Sequence, residues 1–410
     1  MTVVFTDDLF DAQFLRALAY TAQGGAEIGE CFATARRIGK ADPDRWFTEW
    51  SATAERVEAQ AAESAADGHR VSARGAWFRA SNYHRTAGLF LMGAPVDPRF
   101  RTASGEQTRC FRAGAALLDL PPDILEIPYE GTTLPGYFFR AADDGATRPT
   151  VILVDGYDGT VEELYFANAV AALARGYNVL AFDGPGQGSV VLDQGLPFRP
   201  DWENVVGPVV DHALTLPEVD GDRLVLHGWS FGGYLAPRAA TVEHRLAACV
   251  SDCGPYDLFD ASIARLPGPL ARQVRSGNRV ALSVLRTVLT GVLRKPSAGW
   301  ALRRNMWVHG LTDPLAYFTL AAEYTLQGRG QLITCPTFVS CTEGDDLSAA
   351  AGTFAAALRC PTEFVRFGAG DQVSGHCEMT GRALFHRRVY DWLDTVLEHR
   401  GPAVPARPAG

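Results

Sequence analysis

The stretch Leu224-Val225-Leu226-His227-Gly228-Trp229-Ser230-Phe231-Gly232-Gly233 decides how the rest of the chain is read. An apolar run stops at a glycine, presents one serine and leaves through two more glycines. G-x-S-x-G is short and matches often by chance, so its setting carries the weight. The run before it reads as a buried strand, and FGGYLAPRAATVEH after it has helical spacing. A turn that tight needs Gly228 and Gly232, whose side chains would otherwise collide, and Gly233 lets the helix start close to the strand. Ser230 would then be held strained, its hydroxyl at the top of a sheet and at a helix N-terminus, as a nucleophile is. The bland alternative is a glycine turn with a helix-capping serine.

The flanking chain supports the first reading. From Pro149 onward, strand-like runs (VILVDG, YNVLAFDG, DRLVLHG, LAACVSD) alternate with helix-like ones (VEELYFANAVAALARG, ENVVGPVVDHAL). Strands that are apolar throughout, separated by amphipathic helices, predict a parallel sheet covered on both faces. ILEIPYE and TLPGYFFR precede it as an antiparallel pair. The expected fold is therefore α/β, a mostly parallel doubly wound sheet with two helical additions. Residues 1–120 read as a helical N-terminal domain, with Asp42-Pro43-Asp44 as a helix start and Trp46, Trp50, Trp77, Phe78, Tyr83 and Phe90 as packing residues. Residues 121–257 form the first part of the core. Residues 258–329 read as helices without strands, a lid over the sheet's C-terminal edge. Residues 330–400 complete the core, and 401–410 is expected to be a disordered tail.

Composition narrows the function. The chain has 410 residues, 47% hydrophobic and 21% charged, with a formal net charge of −9 and no Lys/Arg-rich tract. That balance argues against a nucleic-acid partner. No window reaches the roughly 18 uninterrupted apolar residues of a membrane span, and the N-terminus MTVVFTDDLFDAQF carries acids where a signal peptide carries bases. A cytoplasmic protein with a small-molecule substrate is expected. The eight cysteines show no C-x-x-C spacing and read as buried free thiols. No metal or other cofactor is expected.

A serine hydroxyl needs a base oriented by a third group. At an elbow of this kind the acid and then the base follow in chain order, each after a later strand. Only His376, His386 and His399 follow Glu343. The last two fall at the final helix; His376 lies in the loop GAGDQVSGHCEM, after a strand and before that helix, and is the expected base. CPTFVSCTEGDDLS places Glu343, Asp345 and Asp346 just beyond a strand, with Asp345 favoured as the acid over Asp346. The oxyanion hole should use the backbone N–H of Phe231 and one from the loop VDGYDGT, where Gly156 permits close approach and Tyr157 is the donor. Asp155 and Asp158 are either substrate contacts or turn formers. Asp158, Trp229, Trp307, His309 and Tyr317 are candidate substrate contacts. Trp300 and Tyr324 are further candidate liners, although such aromatics serve equally well as the lid's own core.

Taken together, VDGYDGTVEELYF, GYNVLAFDGPGQG, FRPDWENVVGPVVD, HGWSFGGYLAPRAA and SGHCEM resemble one branch of the α/β-hydrolases. It is the branch of 2,6-dihydroxypseudooxynicotine hydrolase and the fungal hydrolases that shorten polyketide pigment precursors. The resemblance implies a Ser-His-Asp triad of Ser230, His376 and Asp345, and cleavage of a C–C bond beside a carbonyl. The substrate would be a β-dicarbonyl or aryl ketone, or an ester, of an aromatic or polyketide-like metabolite. It further implies a carboxylate beyond the triad, for which Asp252 and Asp257 are candidates. A homodimer through the N-terminal helices is expected from family habit and the aromatics there. The alternative is a non-hydrolytic enzyme of the same fold: a cyclase, acyltransferase or retro-aldol catalyst of secondary metabolism. A peptidase or a catalytically silent binding protein is a weaker reading.

Overall fold

A computed structural model describes residues 3–264, 266–295, 297, 299–399 and 401; all of the expected tail but Gly401 lies outside the described residues. Its centre is an eight-stranded sheet: β1 (Asp123–Tyr129), β2 (Thr132–Phe139), β3 (Arg148–Val154), β4 (Asn178–Phe182), β5 (Val219–Trp229), β6 (Ala248–Asp252), β7 (Thr337–Thr342) and β8 (Thr362–Phe367). The spatial order is β1-β2-β4-β3-β5-β6-β7-β8. β1 pairs antiparallel with β2 and β2 with β4, while every pairing from β4 to β8 is parallel. The chain winds from β3 outward to β4 and then crosses back to β5 on the other side of β3. That crossover brings the loops after β3 and β5 together at the sheet's C-terminal edge, where crevices form in sheets of this kind.

β3, β4, β6 and the second half of β5, Leu224–Trp229, are buried almost throughout, as their continuous apolar runs predict. Alternate residues face opposite cores. Ile152, Val154, Leu180, Leu224 and Leu226 point to one, and Val151, Leu153, Val179, Ala181 and Val225 to the other.

The N-terminal region forms α1 (Asp8–Ala19), α2 (Ile28–Ile38), α3 (Pro43–Ala66), α4 (Arg70–Gly88) and α5 (Pro98–Ala115). α3 starts where the sequence marks it: the Asp42 carboxylate accepts the Arg45 N–H at 2.8 Å, with Pro43 in the first turn. Phe10, Phe14, Trp46, Trp50, Tyr83 and Phe90 form one fully or nearly buried aromatic cluster. These rings are core, which removes the aromatic argument for a dimer face. The helices share both apolar cores with the sheet.

Between β6 and β7 the described residues form five helices, Leu258–Ile263, Gly268–Arg275, Arg279–Leu293, Trp300–Val308 and Pro314–Ala321, with a small core of their own around Leu285, Tyr317 and Phe318. Among the described residues no helix is long and apolar enough to cross a membrane, and all eight cysteines are free thiols.

Candidate active site

Ser230 follows the C-terminal end of β5 with φ +61°, a left-handed conformation uncommon in a non-glycine residue. Two contacts hold it there. Its N–H donates to the Asp252 carbonyl at the end of β6, 3.0 Å away, and its own carbonyl accepts the Gly233 N–H at 2.8 Å. Gly228 is obligatory, because a Cβ there would run into the Gly232 carbonyl as the helix Gly232–Ala240 departs.

The structure brings the three expected residues together from three loops. Ser230 Oγ lies 2.7 Å from His376 Nε2, and His376 Nδ1 lies 2.9 Å from Asp345 Oδ2. The loop after β7 settles the choice of carboxylate geometrically. Asp345 also accepts the Ser348 hydroxyl at 2.6 Å, while its neighbour Asp346 is exposed. Burial opposes a charge on His376, but the Asp345 carboxylate outweighs it and raises the imidazole from the ordinary 6.5 to about 9. The same contact holds Asp345 below the usual carboxylate range despite its burial. His386 and His399 lie elsewhere, against the carbonyls of Ala167 and Arg175.

Gly156 lies against this serine. A Cβ there would stand 2.9 Å from the Phe231 nitrogen and 3.0 Å from Ser230 Oγ. The Tyr157 and Phe231 rings stack with centroids 4.3 Å apart, which ties the loop after β3 to the elbow. The quoted motifs are themselves contact partners. Gln187 of FDGPGQG donates to the Asp155 carbonyl at 2.5 Å and accepts the Gly184 N–H at 2.8 Å, bracing the loop.

Of the five residues expected to touch substrate, Asp158 and Trp307 border one cavity. The cavity lies between α4, α5, the loops 158–160 and 186–191, and the helix Trp300–Val308; Asp158 and Trp307 are in its wall. Trp229 is buried between the guanidinium groups of Arg16 and Arg382. Tyr317 packs in the small core between β6 and β7. His309 is buried between two hydroxyls, Tyr157 OH on Nε2 at 3.0 Å and Tyr324 OH on Nδ1 at 3.2 Å. Burial and the Arg304 charge push it down to about 3, so it is a neutral strut between the loop after β3 and the following helices. Aromatic residues near a site are indistinguishable in sequence from those packing behind it.

Asp158 is an ion-pair centre, not a turn former. It takes Arg16 of α1 at 2.8 Å and also Arg304 of the helix Trp300–Val308. Asp155 binds its neighbour's backbone N–H, and burial beside Glu163 raises its carboxyl above the usual range. The two carboxylates suggested as additions to the triad sit in different places, and Asp252 adds to Asp345 in favouring a charge on His376. Asp257 caps the helix Leu258–Ile263, accepting the Asp260 N–H at 2.8 Å. Asp252 is fully buried beneath the elbow, 2.8 Å from Arg382.

Arg382, Arg16 and Arg85 were missed by sequence reasoning. Arg382 Nη1 donates to Asp252 and, at 3.1 Å, to the Cys377 carbonyl. Its Nη2 donates to Asn168 at 2.5 Å and the Ala167 carbonyl at 3.4 Å, within a π turn, Tyr165–Ala169, whose register leaves carbonyls open. It thus joins the residue under Ser230 to the residue after His376. Cys377 and Glu378 are both left-handed, at φ +55° and +50°, so this loop is one that needs holding.

Comparison with known proteins places the family and the fold. The Alpha/beta hydrolase family profile matches residues 151–385, and that of Esterase FrsA-like matches 37–262. The chain is 35% identical to Hydrolase acrC of Aspergillus aculeatus, over 96% of this chain and 98% of that one. It is 36% identical to 20-hydroxy-prefusarin hydrolase FUS2 of Gibberella moniliformis, over 97% and 98%. The crystal structure of 2,6-dihydroxy-pseudo-oxynicotine hydrolase superposes with a TM-score of 0.73 at 22% identity, over 96% of this chain and all of that one.

Proposed function

The chain belongs to the alpha/beta hydrolase family, and on that premise we propose that it hydrolyses an activated carbonyl compound through an acyl-enzyme on Ser230. The observation that carries the reading is the continuous line from Ser230 Oγ to His376 to Asp345, at 2.7 and 2.9 Å, beginning at a left-handed serine. His376 Nε2 takes the hydroxyl proton as Oγ adds to the carbonyl carbon. The backbone N–H groups of Tyr157 and Phe231 hold the oxyanion, and Asp345 stabilises the imidazolium. Collapse expels the leaving group, which receives the proton from His376. Water, deprotonated by His376, then releases the acyl group.

The leaving group we favour is a carbanion stabilised by an adjacent carbonyl, so that a C–C bond breaks in a β-dicarbonyl or aryl ketone; an ester is the simpler case. The motifs VDGYDGTVEELYF and GYNVLAFDGPGQG support the first. A relative named for 20-hydroxy-prefusarin supports a small metabolite over a peptide. The segment 258–329 acts as the lid, its helix Trp300–Val308 closing one wall of the cavity.

A fluorophosphonate followed by intact mass tests the nucleophile. One adduct is expected on the wild type and none on Ser230→Ala, with turnover of β-diketones and aryl esters falling about 10⁴-fold or more in the variant. No adduct on the wild type would sink the acyl-enzyme. Turnover retained in Ser230→Ala would instead favour a non-covalent cyclase or retro-aldol reaction.

A further inference from the structure

The wall of the cavity beside Asp158 includes a guanidinium with donors to spare. Arg85, on α4, has a side chain only 4% exposed. Its Nη2 reaches Thr86 Oγ1 at 3.3 Å, but Nε and Nη1 have no hydrogen-bond partner among the described residues. Glu163 Oε1 lies 3.4 Å from Nη1 and supplies charge without a hydrogen bond. That carboxylate is already occupied, by Arg16 through two bonds of 2.7 and 2.6 Å and by the Tyr20 hydroxyl at 2.6 Å. Charge is also out of balance. Arg16, Arg85 and Arg304 gather around two paired carboxylates, Asp158 and Glu163, and burial keeps Asp155 from supplying a third. Burial, with Arg16 close by, lowers Arg85 from its usual value, as a cation short of compensation should be.

Buried N–H groups of a charged side chain are costly to leave unmet. The ligand that meets them best is an oxygen anion, above all a planar two-oxygen group that matches the guanidinium fork. The cavity is narrow, with room for a small group and not for a ring. Its other walls include Leu89, Met92, Phe100 and Trp307, which favour a ligand attached to an apolar body. The Asp158–Thr160 wall continues directly from Gly156 and Tyr157 beside Ser230.

We propose that this cavity is a substrate subsite in which Arg85 seats a small oxyanionic group, a carboxylate or an enolate, carried by the substrate away from the bond that reacts. The substrate class becomes an acidic carbonyl compound with an apolar body. This rests on the reading of Ser230 as the reacting centre, and the experiment separates the two.

Two matched series of 4-nitrophenyl esters, one ending in a carboxylate (succinate, glutarate, adipate) and one in a methyl group at equal length, are compared on the wild type, Arg85→Gln and Arg85→Lys. The wild type should prefer one carboxylate length over its neutral match. In Arg85→Gln that preference should fall about 10- to 100-fold, as loss of a charge-assisted bond predicts, mainly through KM, with Arg85→Lys intermediate. An unchanged ratio in folded Arg85→Gln, or no carboxylate preference at any length in the wild type, overturns the subsite. A binding arm covers the case in which neither ester turns over. Acetate should raise the melting temperature of Ser230→Ala relative to acetamide at equal ionic strength, and Arg85→Gln should abolish the difference. With no fluorophosphonate adduct on the wild type, such a result would sink the Ser230 reading and keep the subsite, whereas equal melting with both ligands would sink the subsite.

Discussion

Two buried arginine clusters flank Ser230, and they are built differently. Beneath the elbow, Arg382 joins Asp252, the Cys377 carbonyl and the π turn, all parts of the sheet or of helices packed on it. Beside the cavity, Arg16, Arg85 and Arg304 come from α1, α4 and the helix Trp300–Val308, and meet only at Asp158 and Glu163. The lower cluster spends its donors on protein, apart from Nε. The upper one joins three regions of the chain and keeps two donors of Arg85 in reserve. A buried charge can thus serve to hold reacting groups at a set separation or to select what reaches them. The number of unmet donors distinguishes the two uses.

The contrast is broken most severely at the proposed triad between the clusters. Asp345→Asn should lower kcat about 10⁴-fold, the scale for losing the orienting acid. It should also move the pH profile. Protonated His376 cannot accept the serine proton, so kcat/KM in the wild type should climb as pH rises toward about 9 and level off beyond it. Without the Asp345 charge the acid limb should shift down; a limb that stays in place would separate His376 from Asp345. The same raised value stabilises the fold below 6.5, a contribution lost as pH rises through about 9, so Asp345→Asn should flatten that part of a denaturation-against-pH curve.

Next comes Arg382→Met. It leaves Asp252 charged and buried, and denaturant unfolding should show a loss of about 3–5 kcal/mol. Among molecules still folded, kcat should fall by the same factor for every substrate, because the Ser230–His376 separation is what changes. A loss confined to KM would place Arg382 with the upper cluster instead.

The smallest effect belongs to Asp158→Asn, which weakens the hold on Arg16 and Arg304 at about 1–3 kcal/mol. Here KM should rise while kcat with a small neutral ester changes little, as steady-state kinetics on long and short substrates would show. A uniform fall in kcat would mean that Asp158 sets the oxyanion loop as rigidly as Arg382 sets the base.

Much of the fold is legible along the chain. β3, β5 and β6 are apolar runs bounded by glycine or acid, and α3 announces itself through Asp42-Pro43. The elbow is legible because Gly228 and Gly232 are local necessities of a sharp turn, as Gly156 is of close approach to Ser230. Asp345 and Asp346 stand side by side, and only the path of the loop turns one toward His376. Trp229, His309 and Tyr317 are buried, and the sequence alone does not tell a wall from a core, since ring chemistry is the same in both.

By itself, then, the sequence determined the sheet, the elbow and the histidine loop, because periodicity, tight turns and chain order are short-range properties. Only the tertiary structure decided which carboxylate completes the line from Ser230, that Asp252 lies beneath the elbow, and that Arg85 borders a cavity. Those facts depend on groups as far apart as Arg16 and Glu163, or Asp252 and Arg382. An arginine on a helix carries no local sign of which carboxylate it will meet, or of whether its donors will all be met.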